Sequence, residues 1–129
     1  PCFENMPPKQ PGAYVTEVHP ALALWLWGKE AGHEDEGPWD YKKRTNSRDK
    51  LWTRLKTFWA DQYPRSLGTW APEQVRNDDE LDAWVAFALG RLWVDWPEEV
   101  RLAGDNETGS FLLPSKALQT YLPEIAKLP

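Results

Sequence analysis

Two segments of the chain have the apolar spacing of helices, and one of them is especially regular. It follows the i, i+1, i+4, i+7, i+8 pattern of a single helical face through Leu51, Trp52, Leu55, Phe58 and Trp59. Asn46 or Ser47 suits the N-cap position, and Tyr63-Pro64 ends the pattern. The sequence therefore predicts an amphipathic helix between these two points.

The first part of the chain predicts an irregular segment, then a strand followed at once by a helix. Residues 1–12 contain four prolines and a glycine, which predicts an irregular lead-in to one domain over residues 13–129. Ala13–Val18 is rich in β-formers and predicts a strand. Because proline suits the first turn of a helix, we expect Pro20 to introduce a short helix over 21–27, closed by Gly28.

A further helix, from Asp78 to Val94, begins with acids and is apolar on two sides. One side carries larger residues and the other carries small ones, namely Ala83, Ala86 and Gly90. Apolar residues on two sides are typical of a helix between two layers. A strand over Ser110–Leu113 and a short helix over Ser115–Leu122 complete the prediction, which is an α/β fold.

Composition narrows the class of protein only moderately. Nine tryptophans exclude a disordered chain, and one cysteine excludes an internal disulfide and favours a reducing, cytoplasmic setting. The longest apolar run, Ala21–Trp27, is too short to span a membrane, and no secretory signal is visible. A net charge of −5 argues against a general nucleic-acid coat protein. A nuclease remains compatible, because it needs acids for metal and only local basic residues for phosphate.

The acids at the start of the 78–94 helix allow two interpretations. Asp79 and Asp82 are three residues apart and share one helical face, and such a pair is suited to hold Mg²⁺. Alternatively, acids in a first turn complement the helix dipole and serve as caps. Capping accounts for Asp78, and we expect Glu80 to face solvent. Asp82 lies deeper in the helix, where a capping role is less suitable.

Glu17 and His19 could also take part in catalysis or binding, but each has an ordinary structural role as the alternative. Glu17, near the end of the predicted strand, either completes a metal site with the helix acids or is an exposed strand residue. His19 serves as a ligand, a base or a hydrogen-bonding residue. No Cys or His has zinc-site spacing.

A basic run lies just before the Leu51–Trp59 stripe, and three tryptophans lie in predicted loops. The run holds five basic residues in nine positions, namely Lys42, Lys43, Arg44, Arg48 and Lys50. It either binds substrate phosphates or forms a solvated loop. The loop tryptophans either stack on bases or wedge into the core: Trp39, Trp70 and Trp96.

Together these motifs resemble those of a family of RNase H-like predicted nucleases, known as a domain family of unknown function. The resemblance spans roughly residues 13–114, and its last acidic motif is also similar to that of RuvC-type Holliday-junction resolvases. It rests on four features that occur in this order: Thr16-Glu17-Val18-His19-Pro20, a basic stretch leading into an Arg-rich helix, Asp78-Asp79-Glu80-Leu81-Asp82-Ala83 and Gly109-Ser110-Phe111-Leu112-Leu113-Pro114.

The resemblance implies an RNase H-like fold, with a mixed sheet, flanking helices and central acids. Glu17 would be the acid of the fourth strand, and Asp79 and Asp82 acids of the final helix; all three would be catalytic ligands of Mg²⁺ or Mn²⁺. The family also has an Asp on its first strand, within a three-stranded N-terminal meander, for which residues 1–12 offer no room. We therefore expect a C-terminal portion of the domain, completed by an N-terminal half or by another chain.

The leading hypothesis from the sequence is thus a metal-dependent nuclease acting on nucleic acid. The basic residues Lys42, Lys43, Arg44 and Arg48 are the candidate contacts to substrate phosphates. The alternative is a non-catalytic α/β interaction module with a tryptophan-rich interface. A third possibility, nucleic-acid binding without chemistry, requires exposed loop tryptophans beside the basic run.

Overall fold

The chain folds as an α/β structure with a small mixed sheet and three helices. The computed structural model describes residues 3–5, 7–8, 10, 12, 16–32, 45–105, 109–116, 118 and 120. The strands are β1 (Phe3–Asn5), β2 (Glu17–Val18), β3 (Val100–Asp105) and β4 (Gly109–Pro114). The helices are α1 (Pro20–Glu30), α2 (Thr45–Gln62) and α3 (Asp78–Asp95), and a 3-10 turn spans Pro97–Glu99.

The sheet has the strand order β1-β3-β4-β2. β1 pairs antiparallel with β3, β3 pairs antiparallel with β4, and β2 pairs parallel with β4. In this register Glu17 lies opposite Phe111, and Phe111 lies opposite Ala103. Since directly paired residues point to the same face, these three side chains share one face of the sheet.

α1 follows β2 directly, as the sequence predicts, but it does not end at Gly28. The helix runs through that glycine to Glu30 and has its C-cap at Ala31. Gly32 then takes a positive φ of 84°, the left-handed conformation that glycine adopts at little cost. The glycine that follows the end of the helix is therefore four residues later than predicted.

α2 confirms the helix predicted from its apolar stripe, and its tryptophans form part of the core. Trp52 and Trp59 are each 1% exposed and meet edge-to-face, with ring centroids 5.9 Å apart. Trp27 of α1 packs against Trp59 in the same way, at 5.4 Å. These contacts join α1 to α2, and aromatic pairs of this kind add to the stability gained by burial.

α3 is buried on one side only, which corrects the expectation of a helix between two layers. Its buried residues are Leu81, Val85, Ala88, Leu89 and Leu92. On the small-residue side Ala83 is exposed, and a Cβ added to Gly90 would meet no described atom within 4 Å. Within the described residues, nothing packs closely on this side of the helix at Gly90. We call this the open face of α3.

Two strands differ from the sequence prediction. β1 lies within residues 1–12, where the sequence predicts an irregular segment, and β3 lies where the sequence predicts no strand. β1 is stabilised by pairing with β3, a long-range contact that a local pattern does not contain, and β3 also pairs with β4 as a hairpin. β4 confirms the predicted last strand, and residues 115, 116, 118 and 120 are helical. Of the predicted first strand, residues 13–15 lie outside the described residues.

Candidate metal and substrate site

The first turn of α3 is capped by Asn77 and not by one of the acids. The Asn77 side-chain oxygen accepts a hydrogen bond from the Glu80 backbone N–H at 2.8 Å. Glu80 itself accepts a hydrogen bond from the Arg76 guanidinium, also at 2.8 Å, which raises the pKa of Arg76. Asp78 is consequently the first residue of the helix, where it complements the dipole.

Asp79 and Asp82 lie one turn apart, as the spacing predicts. Asp79 is exposed and Asp82 is half-buried, and Ala83 and Ala86 continue the same side of the helix. Because Asn77 already provides the cap, neither carboxylate is needed for that purpose. The pair therefore stands at the edge of the open face, accessible to a ligand from solvent.

Glu17, the third predicted ligand, lies on β2 at the edge of the sheet. Its side chain is exposed, and it shares a sheet face with Phe111. Immediately after the strand, His19 caps α1 by accepting the Leu22 backbone N–H on its Nδ1 at 3.2 Å. The His19 ring also contacts Phe111 edge-to-face, with centroids 5.5 Å apart.

The three predicted ligands do not form one metal-binding group in this structure. Within the described part of the chain, no three His, Cys, Asp or Glu side chains are placed to hold a metal ion together. Asp79 and Asp82 still form a pair of carboxylates on α3, whereas Glu17 lies on a different element, β2. Such a pair matches the one or two carboxylates by which proteins usually hold Mg²⁺ together with substrate phosphates.

The predicted phosphate contacts are only partly described. Lys42, Lys43 and Arg44 lie outside the described residues. Arg48 lies on the first turns of α2, where its side chain is 14% exposed and its Nε approaches Asp49 at 4.0 Å. The Nε atom itself is buried and has no hydrogen-bond partner among the described residues. Arg48 is therefore positioned within the protein surface and not extended into solvent.

Comparison with known proteins assigns the chain to a family. A family model described as "Protein of unknown function (DUF429)" matches residues 5–108, which is most of the chain. The chain belongs to the DUF429 family. No curated protein and no solved structure matches it. The matched region contains β2, all three helices and β3, and hence all the predicted ligands.

The DUF429 chain also contains a group of ionisable residues that no sequence motif indicates. We call Glu30, Tyr63, Glu99 and Lys116 the assembled cluster, because each comes from a different part of the fold. Lys116 lies 3.6 Å from the Glu99 carboxylate, and the Tyr63 hydroxyl hydrogen-bonds to Glu99. These residues are spread from position 30 to position 116, so no local spacing relates them.

Burial dominates the electrostatics of the assembled cluster. It raises the pKa of Glu30, an effect that Lys116 counteracts and Glu99 reinforces. Burial also raises the pKa of the Tyr63 phenol, with further increases from Glu99 and Glu30. Glu30 additionally lines a cavity of about 600 Å³ between α1 and α2, together with Phe58 and Asp61.

The loop tryptophans of the DUF429 chain are exposed where they are described. Trp70 is 57% exposed and Trp96 is 45% exposed, whereas Trp39 lies outside the described residues. Trp96 packs against Tyr63, just beyond the C-terminal end of α2, with ring centroids 6.1 Å apart. Arg48 lies near the opposite end of that 18-residue helix, so Trp96 and the described part of the basic run are not adjacent.

Within the described residues, no helix of this DUF429 chain has the length and apolar character that a membrane span needs.

Proposed function

We propose that this chain forms part of a metal-dependent nuclease domain of RNase H-like type, which hydrolyses phosphodiester bonds. The observation that carries the proposal is the position of Asp79 and Asp82. They lie on an accessible side of α3, and Asn77 already caps the helix. Two carboxylates on consecutive turns that have no capping task are suited to a divalent ion. The order of the Glu17-Val18-His19-Pro20 and Asp79-x-x-Asp82-Ala83 motifs supports the same reading.

In this proposal Asp79 and Asp82 hold Mg²⁺ or Mn²⁺. Glu17 stays a predicted ligand that would join them only in the completed domain, because the described residues do not group it with them. A divalent ion in such a site supplies an activated water and neutralises charge on the leaving oxygen. The chain's own side chains provide the carboxylates and fix their position on α3. Lys42, Lys43, Arg44 and Arg48 remain the predicted contacts to phosphate, with Arg48 acting from a largely buried position.

We further propose that another segment of the protein, or another chain, completes the sheet beside β2. β2 pairs with β4 along one edge, and no other described strand pairs with it. An unpaired strand edge leaves backbone N–H and C=O groups ready to accept a partner. A strand added there would lie next to Glu17 and supply the further acid that the resemblance implies.

The decisive experiment is titration of the full-length protein with Mg²⁺ and Mn²⁺, followed by calorimetry. Asp79→Asn and Asp82→Asn are expected to weaken binding strongly, because each removes a charged ligand oxygen. Asp78→Asn is the matched control: it lies on the same helical turn, and we expect it to bind metal as the wild type does. Identical binding by wild type and Asp82→Asn would refute the metal site.

A second candidate function is a non-catalytic interaction module, and one observation favours it. Phe87 is 43% exposed and Val94 is 76% exposed, both toward the side of α3 that is not buried. Exposed apolar side chains on one side of a helix are typical of a protein interface. If Phe87→Ser abolishes association with a partner while Asp82→Asn leaves metal binding unchanged, the interaction module is the better description.

A further inference from the structure

His19 has a fixed hydrogen-bonding state that follows from its position between β2 and α1. Its Nδ1 accepts the Leu22 backbone N–H at 3.2 Å, so the lone pair of that nitrogen is in use. A neutral imidazole carries one proton, and here it must therefore be on Nε2. The helix cap thus selects the tautomer of the ring.

The ring of His19 lies on the same face of the sheet as Glu17. Residues two apart along an extended segment point to the same side, and Glu17 and His19 have this spacing. Glu17 lies opposite Phe111 in the strand register, and the His19 ring contacts Phe111 at 5.5 Å. The register and the ring contact agree, so His19 and Glu17 are neighbours at the edge of the sheet.

The sequence allows His19 to be a metal ligand, a base or a hydrogen-bonding residue, and the Nε2–H tautomer excludes the first two roles. A nitrogen that carries a proton has no free lone pair, so Nε2 is neither a metal ligand nor a proton acceptor while the cap is intact. Nε2–H is a hydrogen-bond donor. His19 is half-buried, and no described residue accepts a hydrogen bond from Nε2. A donor held in one direction beside a carboxylate is therefore available to a ligand.

We propose that His19 is a substrate-binding residue that donates its Nε2–H to a non-bridging oxygen of a phosphodiester held beside Glu17. This inference rests on the proposed nuclease function, since it assigns the phosphodiester as ligand. His19 thereby has two tasks at once: Nδ1 fixes the start of α1, and Nε2 orients the phosphate. Because the same ring makes both contacts, the position of the donor is coupled to the β2–α1 junction that also carries Glu17.

The first test reads the tautomer and the ligand directly by NMR. The chain has two histidines, so His33→Gln leaves His19 as the single imidazole signal. Long-range ¹H–¹⁵N spectra are expected to show the Nε2–H tautomer, and an Nδ1–H tautomer would overturn the inference. Dimethyl phosphate, added with and without Mg²⁺, is expected to shift the Nε2 resonance in a saturable way in at least one of the two titrations. An Nε2 resonance that moves in neither titration overturns the inference.

The second test separates the cap from the donor with two substitutions. His19→Asn keeps a side-chain oxygen for the cap but removes Nε2–H, since asparagine is a good N-cap. We expect a near-wild-type Tm and an affinity for dimethyl phosphate lowered about tenfold, read from the Phe111 backbone amide. His19→Gln places an amide donor nearer to the Nε2 position but loses the cap, so its Tm falls while it retains more affinity than His19→Asn.

The two proposals fail in different ways in these experiments. Unchanged Mg²⁺ binding in Asp82→Asn refutes the metal site but says nothing about the His19 tautomer or its response to dimethyl phosphate. Equal affinity of wild type and His19→Asn for dimethyl phosphate refutes the role of His19. This result does not bear on the metal site, which the Mg²⁺ titration tests. If, without any phosphate, the Nε2–H proton exchanges slowly with water in the wild type and fast in Glu17→Gln, Nε2–H serves Glu17, and this result would also overturn the inference.

Discussion

The acids at the start of α3 and the assembled cluster are both rich in carboxylates, but they differ in how the protein holds them. Asp78, Asp79 and Asp82 are contiguous in sequence, exposed or half-buried, and belong to one helix. The assembled cluster joins four separate parts of the chain, and its Glu99 side chain is 15% exposed. The acids at the start of α3 thus depend on a single helix for their position, whereas the assembled cluster links separate elements of the fold.

Glu99→Ala should have the largest effect on stability of the changes considered. It leaves the buried Tyr63 hydroxyl without its acceptor and Lys116 without its closest described carboxylate. Loss of a hydrogen bond to a charged group predicts a decrease of about 1.5–3 kcal/mol in the free energy of unfolding, measured by urea denaturation.

Glu98→Ala is the matched control for this change. Glu98 lies on the same 3-10 turn and is exposed, and its contacts to Ser115 and Arg101 use its backbone oxygen. We expect its free energy of unfolding to stay within about 0.5 kcal/mol of wild type. Equal destabilisation by the two substitutions would contradict a special role for Glu99.

Asn77→Ala should have the next largest effect, because it removes the cap of α3. The backbone N–H of Glu80 loses its acceptor, at a cost of about 1 kcal/mol in the free energy of unfolding. Asn77→Asp keeps a side-chain acceptor and should remain close to wild type. If Asp78→Ala cost as much as Asn77→Ala, the acids would be serving as the cap, and the contrast between the two groups would weaken.

The raised pKa of Glu30, in the assembled cluster, predicts that the free energy of unfolding depends on pH. Burial raises the folded-state pKa of Glu30 above its ordinary value of 4.5, so the folded protein binds this proton more tightly than the unfolded chain does. Stability is therefore present below pH 4.5 and is lost as the pH rises through the raised pKa. The effect should be smaller than that of Asn77, because Glu30 is only half-buried and Lys116 offsets part of the cost.

Glu30→Gln tests this dependence, since glutamine does not titrate. The difference in unfolding free energy between wild type and Glu30→Gln should grow from pH 4.5 upward, with the variant the more stable at neutral pH. Glu99, Lys116 and Tyr63 face Glu30 and are unchanged in both proteins. A difference that is constant with pH would show that Glu30 does not carry the effect.

A feature of this structure can be predicted from the sequence when it depends on residues that are close together in the chain. The apolar stripe of α2, the acidic start of α3 and β4 are all predicted, because helical and strand periodicities are properties of neighbouring residues. β1 depends on pairing with the distant β3, and the assembled cluster depends on where α1 and α2 end, so neither has a local signal. The candidate site shows the same division: the Asp79 and Asp82 pair follows from spacing, whereas its relation to Glu17 depends on the whole fold.

Asp79→Asn and Asp82→Asn should have the smallest effects on stability, and this makes them informative. Asp79 is exposed, so we expect Asp79→Asn to alter the free energy of unfolding by no more than about 0.5 kcal/mol. Asp82 is half-buried at the edge of the open face, and we expect Asp82→Asn to cost less than Asn77→Ala. Residues retained for folding would not tolerate the loss so well. If the same variants lose Mg²⁺ binding at unchanged Tm, the acids at the start of α3 are held for a ligand; if they unfold like Glu99→Ala, both groups of carboxylates serve the fold.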